Sequence, residues 1–173
     1  MFAGRKSNMI GGVELKSLVI YDSKFGNTEQ IAKAIAGAIT PLGEVKVLRA
    51  GKANPSELAS IDFLIVGSPT HAGRATRATK EFLKKIPANA LKNVRVTSFD
   101  TRFSAKDKGV GTRILLRVLG YAAGRITNSL GGKGGYLAAE PEGFIVKDSE
   151  GPLKKGELER AAIWAKGIIE NKK

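Results

Sequence analysis

The sequence predicts an α/β fold, a three-layer sandwich in which a five-stranded parallel sheet is covered by helices on both faces. Three observations predict it. Short apolar runs rich in β-branched and aromatic residues alternate five times with stretches of helical periodicity, the pattern of parallel strands joined by crossover helices. The runs are continuously apolar, as in strands buried on both faces. The length of 173 residues, 42% of them hydrophobic, suits one domain around one core.

The elements follow in order. Leu18, Val19, Ile20 and Tyr21 form the first strand. Residues 28–39 form a helix, with Ile31, Ala34, Ile35, Ala38 and Ile39 at helical spacing and Pro41 as its stop. Val45, Lys46, Val47 and Leu48 make a second strand. Asn54 caps a short helix that has Pro55 in its first turn. Phe63, Leu64, Ile65 and Val66 are the third strand and the most apolar. A helix with Phe82, Leu83 and Ile86 inward leads to a fourth strand at Val94, Val96, Ser98 and Phe99. Ile114, Leu115, Val118, Leu119 and Ala122 mark one further helix, with Arg113 and Arg117 outward. Residues 136–139 are the fifth strand, with a shorter apolar stretch at 144–146 beside it. An amphipathic helix from Leu158 to Ile169 closes the chain.

Residues 1–14 read as a flexible N-terminal extension and 15–173 as the domain. Arg5 and Lys6 have no apolar stretch behind them, so the segment fails as a secretory signal. No apolar run reaches the ~20 residues of a membrane span. The expected setting is the cytoplasm, with no membrane contact. The chain has no cysteine, which excludes disulfides, thiolate metal sites, iron–sulfur ligation and a thiol nucleophile. No metal site and no catalytic residue are assigned, so redox chemistry would need a bound organic cofactor.

The formal charge is +13 and unevenly spread. Residues 71–125 carry thirteen Lys and Arg against three acids, Glu81, Asp100 and Asp107. Such a field attracts an anionic partner or ligand, or it keeps a solvated surface apart from its neighbours.

Ligands of open α/β sheets bind beyond the carboxyl ends of the strands. Three loops leave strand ends here, at 23–28, 67–73 and 100–109. In the first, Gly26 permits a tight turn into a helix whose N-terminal N–H groups and partial positive charge suit a phosphate. Ser23 and Thr28 add hydroxyl donors. The alternative is a plain helix cap by Asn27 or Thr28. A Walker loop is absent. Gly131-Gly132-Lys133-Gly134-Gly135 follows a helix and precedes a strand, the wrong order for a dinucleotide fingerprint, so it joins two elements.

Tyr21-Asp22-Ser23-Lys24-Phe25-Gly26-Asn27-Thr28-Glu29 resembles the first strand and phosphate loop of the flavodoxin family. Gly67-Ser68-Pro69-Thr70-His71-Ala72-Gly73 resembles its second flavin loop, and residues 98–103 stand at its third. The resemblance spans residues 15–170 and implies strand order 2-1-3-4-5 with FMN across the strand ends. Ser23, Lys24, Phe25, Gly26, Asn27 and Thr28 would take the phosphate. Pro69, Thr70, His71, Ala72 and Gly73 would border the ring. Asp100, Thr101, Arg102 and Phe103 would line its pyrimidine side. The family's aromatic sandwich has no plain counterpart: Trp164 lies in the terminal helix, which leaves Phe103 and His71 as stacking candidates, and Phe99 reads as core. His71 is either a proton donor or a polar loop residue. Arg74 and Arg77 meet an anion or solvent.

Three functions compete on these residues. One is an FMN electron carrier whose redox partner protein docks through an acidic surface. Another is an NAD(P)H-dependent FMN reductase of quinones or small molecules. The third is a non-flavin binding module using the basic face. Nucleic acid is the less expected anion, since aromatic residues for base stacking are sparse there.

Overall fold

The computed structural model describes residues 14–104, 106 and 109–170, with the side chains of 115–119 excepted. Apart from Glu14, the expected N-terminal extension lies outside the described residues, as do Asp107 and Lys108 of the basic stretch and the inward side chains expected at 115, 118 and 119.

β1 (Leu15–Tyr21), β2 (Gly43–Arg49), β3 (Phe63–Pro69) and β4 (Arg95–Phe103) form one parallel sheet with β5 (Tyr136–Leu137) and β6 (Glu142–Val146). The order is 2-1-3-4-5, with both β5 and β6 on β4. Successive side chains of a strand point to opposite faces, and the apolar runs therefore feed two cores. Leu18 and Ile20 of β1, with Leu64 and Val66 of β3, pack on α2 (Arg77–Lys85) and α4 (Ala122–Gly131) through Phe82, Leu83, Ile126 and Leu130. Val19, Tyr21, Phe63 and Ile65 pack on α1 (Asn27–Ile39) and α5 (Glu157–Glu170) through Ile31, Ile35, Ala161, Ala165 and Ile168. α1 and α5 lie side by side on that second face. Trp164 joins the same core with its ring edge-on to Phe144 at 6.0 Å.

Two expectations needed correction. The single helix over 114–122 is two helices: α3 (Val110–Leu119) ends at Gly120, whose φ of +69° breaks the helical path, and Ala122 opens α4. The fifth strand over 136–139 is only the pair Tyr136–Leu137, opposite Arg95 and Val96. The chain then leaves the ladder and returns as β6, with Glu142 opposite Phe99. Four residues, 138–141, thus stand against two, Thr97 and Ser98, and Pro141 among them has no N–H to donate. The short turn at Pro55–Leu58 forms as expected, with Asn54 Oδ1 accepting from Ser56 N at 3.1 Å.

Gly67 is required for a packing reason. A Cβ there would meet the Phe99 ring at 2.1 Å, and Phe99 is wholly buried. Neither the β3 backbone nor a ring in the sheet's centre can move away cheaply. Gly67→Ala is therefore expected to cost about 2–3 kcal/mol, read as a lower urea midpoint at unchanged m-value.

The start of α5 carries a pH dependence. Burial raises the pKa of Glu157, but hydrogen bonds from the Arg160 guanidinium and the Ile145 N–H outweigh it, and the carboxyl is held below its ordinary range. A folded pKa below the unfolded one means that the unfolded chain takes up the proton first as pH falls. The stabilisation is complete above the ordinary value of 4.5 and is lost as pH drops through the folded value. Glu157→Gln should be less stable than the parent at neutral pH and should lose less stability between about pH 5 and pH 3, as followed by denaturant titration across that range.

Candidate functional site

The carboxyl ends of β1, β3, β4 and β6 converge on one cleft. Lys24, Phe25, Asn27, Thr28, Pro69, Thr70, His71, Thr101, Arg102 and Phe103 line it, each of them expected from the sequence. Ser23, Gly26, Ala72, Gly73 and Asp100, also expected at the site, are not among the lining residues.

The first loop runs from β1 into α1. Gly26 has φ +86°, a left-handed conformation that a residue with a Cβ adopts at a cost. Its N–H donates to Ser23 Oγ at 3.0 Å, which closes the turn. No side chain caps α1. The two residues offered as caps fall inside the first turn, behind Gly26 at the cap position, and bond elsewhere. Asn27 Nδ2 donates to Glu150 O at 3.0 Å, and Thr28 Oγ1 pairs with Thr101 Oγ1 at 2.8 Å in a buried contact. The first N–H groups of a helix have no intrahelical acceptor, and here they keep their partial positive charge at the floor of the cleft. Glu29 does not cancel it: hydrogen bonds from Lys33 and Arg49 hold its carboxyl below the usual range and answer its charge.

The second loop is a tight hairpin. His71 and Arg74 exchange both backbone hydrogen bonds at 2.9 Å, with Ala72 (φ +46°) and Gly73 (φ +74°) between them. Both central residues are left-handed, the signature of a type I′ turn, and Ala72 bears about 1 kcal/mol for it. His71 is exposed at the rim.

The segment expected as a loop from residue 100 is still strand as far as Phe103, and this end of β4 carries the buried ionic centre. Asp100 is fully buried. Arg102 grips its carboxylate through Nε at 2.5 Å and a terminal nitrogen at 2.9 Å, while lying 3.6 Å over the Tyr121 ring. The Ala123 N–H of α4 donates to the same carboxylate at 2.9 Å. Asp100 thus faces α4 rather than the cleft. Thr70 Oγ1 accepts from Ala122 N at 3.0 Å, so the second loop caps α4 as well. Phe99 sits in the core.

A fourth loop was missed in the sequence. Val146 and Ser149 also line the cleft, and residues 147–151 bring the Glu150 carbonyl to Asn27. Asp148-Ser149-Glu150-Gly151 after an apolar run has the same turn-rich composition as the other three loops. It went unread because 144–146 did not register as a strand of its own.

Fold and cleft together define a parallel α/β protein with a cleft at the strand ends beside an uncapped helix N-terminus. The model of the flavodoxin domain family matches residues 18–120, and the chain belongs to that family. A flavodoxin of Aquifex aeolicus (strain VF5) is 27% identical over 169 residues, covering 90% of this chain and 91% of its own. Oxidised Flavodoxin 1 from Bacillus cereus has the same fold at a TM-score of 0.67 and 21% identity, over 90% of this chain and 98% of its own. The flavodiiron core from Synechocystis sp. PCC6803 matches at 0.64 and 20%, over 90% of this chain and 35% of its own. Flavodoxin-family proteins bind FMN. The residues at the cleft suit that group in chemistry: an uncapped helix N-terminus for the phosphate, and the apolar surfaces of Pro69 and Phe103 for a flat ring. Among the described residues no His, Asp or Glu cluster could hold a metal, and no helix is long and apolar enough to cross a membrane.

Asp100→Ala should strip α4 of one N-terminal acceptor and leave Arg102 without its counter-charge. A loss of about 3 kcal/mol is expected in a denaturant titration.

Proposed function

We propose that this chain is an electron carrier that holds FMN in the strand-end cleft and exchanges electrons with a redox partner protein. The uncapped N-terminus of α1, opening onto the cleft floor, carries the reading. On this reading Ser23, Lys24, Gly26, Asn27 and Thr28 hold the phosphate through backbone N–H groups, hydroxyls and one ammonium, while Phe25 shields them. Pro69, Thr70, His71, Ala72 and Gly73 border the ring on one side. Thr101, Arg102 and Phe103 border the other, with Asp100 fixing Arg102 in place. Bound FMN supplies one- or two-electron transfer, chemistry that no side chain here offers. The chain orients the ring, excludes water from part of it and leaves an edge open to the partner. The setting is the cytoplasm.

The basic stretch favours a partner with an acidic docking surface. A reductase using NAD(P)H is the second reading, favoured by the exposed His71 and the following Arg74 at the cleft rim.

Flavin fluorescence gives the first test. FMN should bind with quenching and riboflavin far more weakly; equal binding would remove residues 23–28 from the phosphate. Electron transfer to an acidic partner should slow steeply between about 50 and 200 mM salt. Steady NADPH consumption with a quinone acceptor would put the reductase first. FMN that fails to bind, with salt-sensitive oligonucleotide binding in its place, would point to a non-flavin module.

A further inference from the structure

A second groove lies outside the cleft. α2 and α4 run side by side on one face of the sheet, both starting at its carboxyl end. Between them is a groove of about 440 Å³. Its floor is Ala75, Leu83 and Ile126, and its walls carry Arg74, Lys80, Lys84, Arg125 and Lys133. No carboxylate and no aromatic ring lines it. Glu81, exposed on α2, pairs with Lys84 at 3.3 Å.

The cations are arranged in rows. Lys80 and Lys84 are one turn apart on α2. Arg125 and Lys133 stand two such intervals apart, along α4 and just past its end, with the uncharged Ser129 midway between them. Four residues of helix rise about 6 Å. The spacing matches alternate residues of an extended chain, about 6.6 Å apart. A compact anion would meet only one step of this ladder, whereas a linear polyanion meets them all. A single-stranded nucleic acid would also be linear, but its bases need rings to stack on, and this groove has none. Arg74 closes the hairpin with His71, so the groove begins at the rim of the flavin cleft.

We propose that the groove between α2 and α4 seats an acidic segment of a partner protein, its carboxylates running between the two basic walls. The role of that partner in electron transfer rests on the reading above; the binding itself does not.

The experiment is a backbone-amide NMR titration of the full chain, with and without FMN. The probes are an eight-residue oligoglutamate, a three-residue oligoglutamate, inorganic triphosphate and an eight-nucleotide oligothymidylate. Octaglutamate should give saturable shifts at residues 74–84 and 125–133, and should bind about tenfold tighter than triglutamate because it reaches more of the row. The double reversal Lys80→Glu with Lys84→Glu should weaken it by about tenfold or more; if that variant unfolds by circular dichroism, Lys80→Gln with Lys84→Gln serves with a smaller loss. Triphosphate binding as tightly as octaglutamate would make this a small-anion site and overturn the proposal. So would tighter binding of the oligonucleotide, or shifts scattered over the basic surface without saturation. FMN quenching is scored separately. If octaglutamate seats here while FMN does not bind, the carrier reading falls and the groove stands; the reverse result removes the groove alone.

Discussion

The carboxyl end of the sheet depends on two consecutive residues of β4, Asp100 and Thr101. Burying a carboxylate costs several kcal/mol unless it is fully partnered. Asp100 has a bidentate guanidinium and the N-terminus of α4, which supplies both an N–H and a favourable partial charge. Thr101 reaches the other two loops. Its hydroxyl holds Thr28 of the first, and its carbonyl accepts from Thr70 N of the second at 2.9 Å. Thr70 in turn caps α4 beside Asp100. Three loops far apart in sequence are locked into one rim by a handful of short hydrogen bonds.

The polar side chains of Asn27 and Thr28 do not cap their own helix: the cap position is Gly26, which has no side chain, and these two residues open the first turn. A helix N-terminus satisfied by a side chain has little left for an anion. Here Asn27 is drawn to the loop after β6 and Thr28 to β4. The N–H groups of α1 are left facing the cleft, and these two side chains position the walls instead. Close packing beneath the rim serves the same end. Phe99 occupies the space that a side chain at position 67 would take, so β3 and β4 meet just where the second and third loops depart.

Charge is divided between two places. In the cleft, backbone dipoles and hydroxyls do most of the work, and Lys24 and Arg102 are its cations, the latter neutralised by Asp100. The larger excess stands outside, along α2 and α4. An anion inside a small cleft is best met by fixed short-range donors. A partner approaching from solution is steered by a broad field. The lopsided distribution of charge along the chain thus acquires a spatial meaning.

The sequence by itself determined the elements and their order. The continuously apolar runs at 18–21 and 63–66 declare doubly buried strands, and Gly26 after a strand and before a helix declares a turn that can receive an anion. These are local signals, set by side-chain periodicity and backbone sterics. The tertiary structure alone decided what the polar residues do. Asp100 stands in the third loop by sequence and would line the cleft; its carboxylate turns inward because α4 presents its N-terminus there. Ser149 joins the cleft because β6 pairs with β4 beyond a two-residue mismatch in register. Asn27 and Thr28, offered by the sequence as caps of α1, fall inside its first turn and bond to partners 123 and 73 residues away. A hydrogen-bonding side chain has many acceptors within reach of its own segment, and only the assembled sheet selects among them.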